Sequence, residues 1–303
     1  MSSTLTVIIV TGRRRDSVGR AAASVLANDT EGFDLLVVDL SPKLGPPASL
    51  VPMLEHPKLG YMRSETRSST VAHNEAIARF QSPYVAVTDD DCEVSKNWIE
   101  GIEAAFEIDR QIGVVFGNVH PAAPASGKGR SPSYLREAPF LAREVRDKPR
   151  VEGIWASMAF RRATWQRLGG FDELLGAGAR FPGSADGDFA LRALTRGVFV
   201  YETPAISVVH HRFISPAQGK RLAFDYSRGS GAMMAKHLRC RAQKGHELLV
   251  TLARRWLRGV GHTAASGGGR SYRGPRVAGF LSGFAAAAFI PVDRETCRFR
   301  TSG

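Results

Sequence analysis

The sequence predicts an open α/β fold, a mostly parallel sheet with helices on both faces. Three observations lead there. Short runs rich in β-branched residues recur along the first two thirds of the chain, each run ends in polar or acidic side chains, and Ala-rich stretches with helical spacing separate them. Near-continuous apolar strands alternating with helices require a sheet buried on both sides.

Residues 5–10 predict the first strand, which ends at Thr11-Gly12-Arg13, and residues 35–38 the second, which ends at Asp39. Between them, residues 16–27 have the composition of a crossover helix, completing a βαβ unit. A second cycle follows, with a helix over 69–79 and a strand over 84–88. Residues 112–119 predict a further strand, and 121–139, rich in Pro, Gly, Ser and Ala, a mobile loop. Structure resumes with a strand over 154–161, a short helix over 163–168 and the turn Gly169-Gly170-Phe171-Asp172-Glu173. Asp186-Gly187-Asp188 opens a helix over 189–196 that stops at Gly197, and a last strand over 205–209 ends on His210 and His211. There is no internal repeat.

The chain of 303 residues is 43% hydrophobic and long enough for one large domain with an appendage. Cys92, Cys240 and Cys297 contain no C-x-x-C pair, which argues against a disulfide framework or structural zinc and predicts three reduced thiols. The start lacks the basic segment and cleavage site of a signal peptide, so a cytoplasmic protein is expected. The net charge of +12 is uneven: from Arg212 onward 17 Lys and Arg face 4 Asp and Glu, against 24 and 25 before it. A neutral body with a basic tail points to an anionic partner for the tail. Within that tail Leu248, Leu249, Leu252, Trp256 and Val260 share one helical stripe while Arg254, Arg255 and Arg258 lie off it, the pattern of a basic amphipathic helix. The apolar stretch 277–290 is shorter than the roughly 20 residues a bilayer requires. It is expected either beside that helix at an anionic membrane surface, placing the protein peripherally on the inner face, or packed on the core.

Most informative is Val85-Ala86-Val87-Thr88-Asp89-Asp90-Asp91, an apolar run that empties into three carboxylates. Adjacent negative charges repel one another, and a hard divalent cation bound with a phosphate relieves that cost. Asp89 and Asp91 also stand at the carboxyl end of a predicted strand, where open α/β sheets hold ligands. An acidic turn that merely solvates a strand end would have the same residues, so the surroundings decide.

Four separated features occur in a set order: the first strand with Thr11-Gly12-Arg13, then Val38-Asp39, then His73-Asn74-Glu75-Ala76 ahead of Asp89-Asp90-Asp91-Cys92, and finally Gly169-Gly170-Phe171-Asp172-Glu173 ahead of Asp186-Gly187-Asp188. This order resembles the family 2 glycosyltransferases, which have the GT-A fold. The likeness covers roughly residues 4–212, implying a GT-A catalytic domain over 1–212 and a basic, mainly helical extension over 213–303. It implies transfer of a sugar, usually with inversion, from a nucleotide-diphosphate donor to the hydroxyl of a glycan, a lipid-linked or a small-molecule acceptor. A Mn²⁺ or Mg²⁺ ion would neutralise the diphosphate.

At the matching positions the resemblance implies Asp91 as the principal metal-side carboxylate and Asp89 toward the ribose or sugar, with Asp90 able to exchange with either. Asp39 is implied at the nucleobase, where an acceptor-only carboxylate suits a ring N–H. Thr11 fits the nucleotide pocket, and one of Arg13, Arg14 and Arg15, with Arg13 the choice, reaches the diphosphate. Asn74 organises the nucleotide-sugar pocket; the family's Ala-Arg-Asn has become Ala72-His73-Asn74, with His73 expected on the helix surface. Asp186 aligns with the catalytic base, and a helix N-terminus favours its ionised form. Trp155, Asp172, Glu173 and Asp188 are implied on the acceptor side, while Trp98 and Trp165 read as helix packing. His210, with His211 as the alternative, is implied to complete the metal or diphosphate site. The chain departs from the family pattern at Ala185, where a glutamate is usual, and after Asp39, where Leu40-Ser41-Pro42 replaces a second acid.

The Ala185 departure keeps open an impaired relative that binds nucleotide sugar as a scaffold. A sugar-phosphate nucleotidyltransferase is disfavoured because Thr11-Gly12-Arg13-Arg14-Arg15 is only a crude version of its Gly-rich signature. No RNP, KH, zinc or helix-turn-helix signature accompanies the basic tail, so no nucleic-acid partner is expected.

Overall fold

The computed structural model describes residues 3–12, 15–41, 45–122, 131–240 and 272–300. Strand β1 (Leu5–Thr11) lies between β2 (Phe33–Asp39) and β4 (Tyr84–Asp89), all parallel, with β3 (Leu59–Arg63) outside β2. Beyond β4 the sheet turns mixed. It continues through β8 (Met158–Arg161), β6 (Ile112–Pro121), β9 (Phe199–His210) and β5 (Cys92–Val94), with β7 (Phe140–Ala142) on β9. The register sets Thr11 beside Asp39 and Val10 beside Asp89, so the carboxyl ends of three strands share one rim.

Both faces of the sheet are apolar, as the runs required. On one side Val7 and Ile9 meet α1 (Val18–Leu26) and α3 (Trp98–Glu107), whose Trp98 and Phe106 are fully buried. On the other, Ile8, Val85 and Val87 meet α2 (Ser69–Ile77) and α5 (Ala185–Thr195), with α4 (Arg162–Arg167) following β8 at the edge. Alternation of side chains along each strand distributes these two sets.

Two expected strands differ in extent. Residues 154–157 do not extend β8: Ser157 N–H closes on Ile154 O at 3.2 Å, making Trp155–Ser157 a 3₁₀ turn. β9 begins six residues earlier than expected, and its pairing with β6 slips between Gly117 and Asn118, opposite Thr203 and Ser207. Pro204 sits in that slip, where its missing N–H breaks the ladder and hides the strand's first half from a pattern reading. The loop expected over 121–139 is anchored at its described end, where Tyr134 pairs with Val119 and its hydroxyl donates to Glu202 at 2.9 Å.

After β9 the long helix α6 (Pro216–Arg239) packs against α7 (Arg273–Ala287). Glycines let the backbones meet: Gly231 lies against Phe280 O and Gly283 against Arg228 O, positions a Cβ could not share. The stretch expected at a membrane surface or on the core is thus α7, packed on α6; the amphipathic pattern over 248–260 lies outside the described residues. No helix among the described residues is long and apolar enough to cross a membrane.

A buried ionic network fastens α6 to the sheet domain. Lys236 Nζ donates to Asp172 at 2.5 Å and to Asp188 at 2.7 Å, with all three side chains fully enclosed. Arg192 Nε donates to Asp188 at 2.8 Å, and its other nitrogens donate to Leu168 O and Gly170 O. His237 Nε2 completes the shell of Asp188 at 2.8 Å. Burial would raise the Asp188 pKa, but Lys236, Arg192 and His237 outweigh it and hold the carboxyl well below its usual range. Burial pushes His237 down, leaving it neutral. The Phe299 N–H of the β10 (Val292–Asp293) and β11 (Arg298–Phe299) hairpin donates to Asp172 at 2.9 Å. Asp172 and Asp188, expected on the acceptor side, are therefore internal. Their lone pairs are taken by side chains that the sequence separates widely.

The same corner corrects the expectation of three reduced thiols. Cys240, at the end of α6, is disulfide-bonded to Cys297 of the hairpin, leaving Cys92 as a buried free thiol. Nothing in the spacing of 57 residues signals this pair, because the fold alone brings its ends together. Closing a loop of that length restricts the unfolded chain by on the order of 4 kcal/mol in the chain-entropy model.

Removing the central cation should expose the weakness of this corner. Lys236→Met leaves two enclosed carboxylates short of a partner and is expected to lower unfolding free energy by about 3–5 kcal/mol in denaturant titration; a loss under about 1 kcal/mol contradicts the network's role.

Candidate active site

At the rim the three consecutive aspartates divide their work. Asp90 is buried and accepts the Thr11 hydroxyl at 2.8 Å, tying β4 to β1. Asp91 accepts from His210 Nε2 at 3.0 Å across the β5–β9 pairing. Donor atoms of Asp89, Asp91, Cys92 and His210 all lie within 4.8 Å of one another. His211 instead faces Glu93 at 2.7 Å, as the alternation of side chains along a strand demands.

This cluster fits a hard divalent ion. Carboxylate oxygens and one imidazole suit Mn²⁺ or Mg²⁺. Burial, together with Asp89 and Asp91, pushes the Cys92 thiol up, so its sulfur stays protonated and the oxygens and imidazole are the ligand set. Burial opposes charge on His210, but its hydrogen bond to Asp91 and the charges of Asp91 and Asp89 win and raise its pKa. A cation there would replace that proton as the balancing charge.

Asp39 is fully buried at the end of β2. Its Oδ2 accepts from Arg15 at 2.8 Å and from the Tyr61 hydroxyl at 2.9 Å, and its Oδ1 from Ser41 N–H at 2.8 Å. Arg15, the third of the adjacent arginines, thus pairs with Asp39; Arg13 lies outside the described residues. Tyr61 escaped the sequence reading because β3 was not recognised there.

Asp186 stands in the first turn of α5. Its Oδ2 accepts from Trp155 N–H at 3.1 Å and its Oδ1 from Gly187 N–H at 2.7 Å. The turn that supplies Trp155 is held to β4, where the Thr88 hydroxyl donates to Ala156 O at 2.7 Å. One short path therefore joins Asp186 to the strand that ends in the acidic cluster. The approach to Asp186 is unusual: Gly183 and Ser184 both adopt left-handed backbone, at φ 96° and 63°. Ser184 is fixed there by its hydroxyl contact with Ser230 of α6 at 2.9 Å. Ala185 packs among Leu175, Phe181 and the α6 alanines Ala232 and Ala235. A glutamate at 185 would enter that apolar cluster, which gives the departure a packing reason.

Asn74, expected to organise the nucleotide-sugar pocket, uses its amide on the Gly-Gly-Phe-Asp-Glu turn. Its Nδ2 donates to Phe171 O at 3.0 Å and to Glu173 at 3.2 Å, while its Oδ1 accepts from Phe171 N–H and the Trp165 indole. Glu173 also faces Arg298 at 3.4 Å. The Trp155 ring, expected free for an acceptor, packs edge-on against His73 at 4.8 Å and against Phe171 at the same separation. His73 is buried, not on the helix surface. Its Nδ1–H donates to Ser69 O at 2.6 Å, and burial pushes its pKa down to about 4 against the pull of that hydrogen bond.

The family model for glycosyl transferase family 2 matches residues 6–168, more than half of the chain. The chain belongs to glycosyl transferase family 2. This glycosyltransferase is similar in structure to the mannosyltransferase PcManGT from Pyrobaculum calidifontis, solved with GDP-Man and Mn²⁺, at TM-score 0.62 and 17% identity over 95% of this chain and 87% of that one. It is also similar to S. aureus TarS, at 0.59 and 16% over 87% and 45%, and to GalNAc-T7 with UDP, GalNAc and Mn²⁺, at 0.54 and 17% over 70% and 44%. At these identities the likeness establishes the GT-A fold alone, and the chain spans less than half the length of the TarS and GalNAc-T7 chains. No curated protein sequence matches it significantly.

The family 2 core carries a pH liability at His73. Between pH 4 and 6.5 the folded state binds fewer protons than the unfolded one, so stability falls as pH is lowered through that window. The term reaches about 2 kcal/mol at pH 5. Replacing His73 by Phe should flatten the loss of stability between pH 7 and pH 5 by about that amount in denaturant titrations; equal slopes for both proteins contradict the assignment.

Proposed function

We propose that the enzyme transfers a glycosyl group from a nucleotide-diphosphate sugar to an acceptor hydroxyl with inversion, using Asp186 as general base. The observation that supports this reading is the path from the Asp89–Asp91–His210 cluster through Thr88 and the Trp155 turn to Asp186, in which two hydrogen bonds link the strand bearing the candidate cation ligands to that carboxylate. GDP-Man with Mn²⁺ in the mannosyltransferase, and UDP with Mn²⁺ in GalNAc-T7, support the donor class.

Asp89, Asp91 and His210 would hold Mn²⁺ or Mg²⁺, which supplies Lewis-acid neutralisation of the leaving diphosphate. Thr11, Asp90 and the Asp39–Arg15 pair line the nucleoside end. Asp186 removes the proton of the acceptor hydroxyl as its oxygen bonds to the anomeric carbon. The bond from that carbon to the diphosphate breaks on the opposite side, and its electron pair leaves with the diphosphate. Trp155 N–H and Gly187 N–H orient the carboxylate for that proton transfer, each using one of its oxygens. Glu173 and the Trp155 turn flank the acceptor approach. The basic balance after Arg212 favours a glycan, lipid-linked or small-molecule acceptor presented beside an anionic surface.

Asp186→Asn should lower kcat by about 10²–10⁴ while donor affinity stays within about threefold, measured by steady-state transfer and by thermal shift with nucleotide sugar and Mn²⁺. Asp91→Asn should abolish the Mn²⁺-dependent part of that thermal shift. A kcat within tenfold of wild type for Asp186→Asn refutes the base assignment.

A further inference from the structure

Helix α6 does more than brace the sheet domain, because it fastens the loop that leads to Asp186. Arg228 Nη1 donates to Arg180 O at 3.1 Å, Ser230 meets Ser184, and a Cβ at Gly229 would stand only 2.6 and 2.8 Å from Pro182 O and Gly183 O. A side chain at Gly183 would press on Tyr226 at about the same closeness, 3.0 Å. Tyr226 therefore sits directly over Gly183, three residues before Asp186. Despite this packed backbone the residue is 49% exposed.

The chemistry around the phenol is specific. The phenol end of Tyr226 lies beside Arg212, two residues beyond His210, and within electrostatic reach of both Asp89 and Asp186. Burial of the hydroxyl end and the two carboxylates raise its pKa against the pull of Arg212, so the group is a neutral O–H at neutral pH. A half-exposed ring with a hydroxyl beside a guanidinium suits a polyhydroxylated ring, through stacking and one directed hydrogen bond.

Resting on the donor reading above, we propose that Tyr226, oriented by Arg212, is the positioning residue that holds the transferred glycosyl group between the cation-side carboxylates and Asp186. The helical extension then supplies a wall of the active site. Recognition of the sugar comes from α6, and recognition of the nucleoside diphosphate from the sheet rim.

The test compares two ligands on the full chain. With Mn²⁺ present, affinities for UDP and GDP are measured by calorimetry beside those for UDP-glucose and GDP-mannose, in wild type and in Tyr226→Phe, which keeps the ring and its contacts with Gly183. Loss of one hydrogen bond should weaken a sugar nucleotide that binds wild type by about 3–10-fold and leave the matching nucleoside diphosphate unchanged. Tyr226→Ala, which also removes the ring face, should widen the difference. Equal effects on both ligands, or none, overturn the proposal while leaving the donor reading intact. If wild type binds none of the four ligands, the donor reading falls and takes this proposal with it.

Discussion

One ammonium group organises the part of this molecule that carries its chemistry. Lys236 of α6 is enclosed between Asp172 of the Gly-Gly-Phe-Asp-Glu turn and Asp188 of α5. Each carboxylate would be intolerable in that interior alone, and each gains the Lys236 ammonium only while the helix is docked. Docking in turn places Ser230 against Ser184 and the α6 alanines against Ala185, which fixes the entry to α5. The position of Asp186 is thus a consequence of charges buried two residues beyond it. The disulfide from Cys240 to Cys297 closes the same corner covalently.

The division of labour among neighbouring acids follows from geometry. In the tight turn between β4 and β5, Asp90 turns to Thr11 while Asp89 and Asp91 converge with His210. Along α5 the helical period separates Asp186, which faces the Trp155 turn, from Asp188, which faces Arg192 and Lys236. Acidic residues with the same local signature therefore have opposite fates. The glycosyltransferase family assignment and the GT-A fold agree with this arrangement, in which a parallel half-sheet offers its carboxyl rim to ligands.

Much of the sheet domain was legible because its strands are uninterrupted apolar runs and its helices have one apolar stripe. The acidic rim and the family followed from motif order. What escaped depends on tertiary packing. Asp172 and Asp188 look like cap or acceptor residues until Lys236 is known to meet them, and nothing in a helix of basic and small residues announces which lysine is buried. His73 reads as surface because its helix has little amphipathicity, yet it is enclosed by Trp155 and Phe171. The disulfide joins segments whose proximity no spacing encodes. Arg15 and Tyr61 meet Asp39 only once β3 is placed beside β2.

We propose that a cation-bound diphosphate and Asp186 face each other across one cleft. Anomalous diffraction from crystals grown with Mn²⁺ and a non-hydrolysable nucleotide sugar tests it most directly. A manganese peak within bonding distance of Asp91, with the anomeric carbon of the bound sugar facing the Asp186 carboxylate, is the expected result. A peak away from Asp89, Asp91 and His210, or a sugar whose anomeric carbon faces away from Asp186, would contradict it.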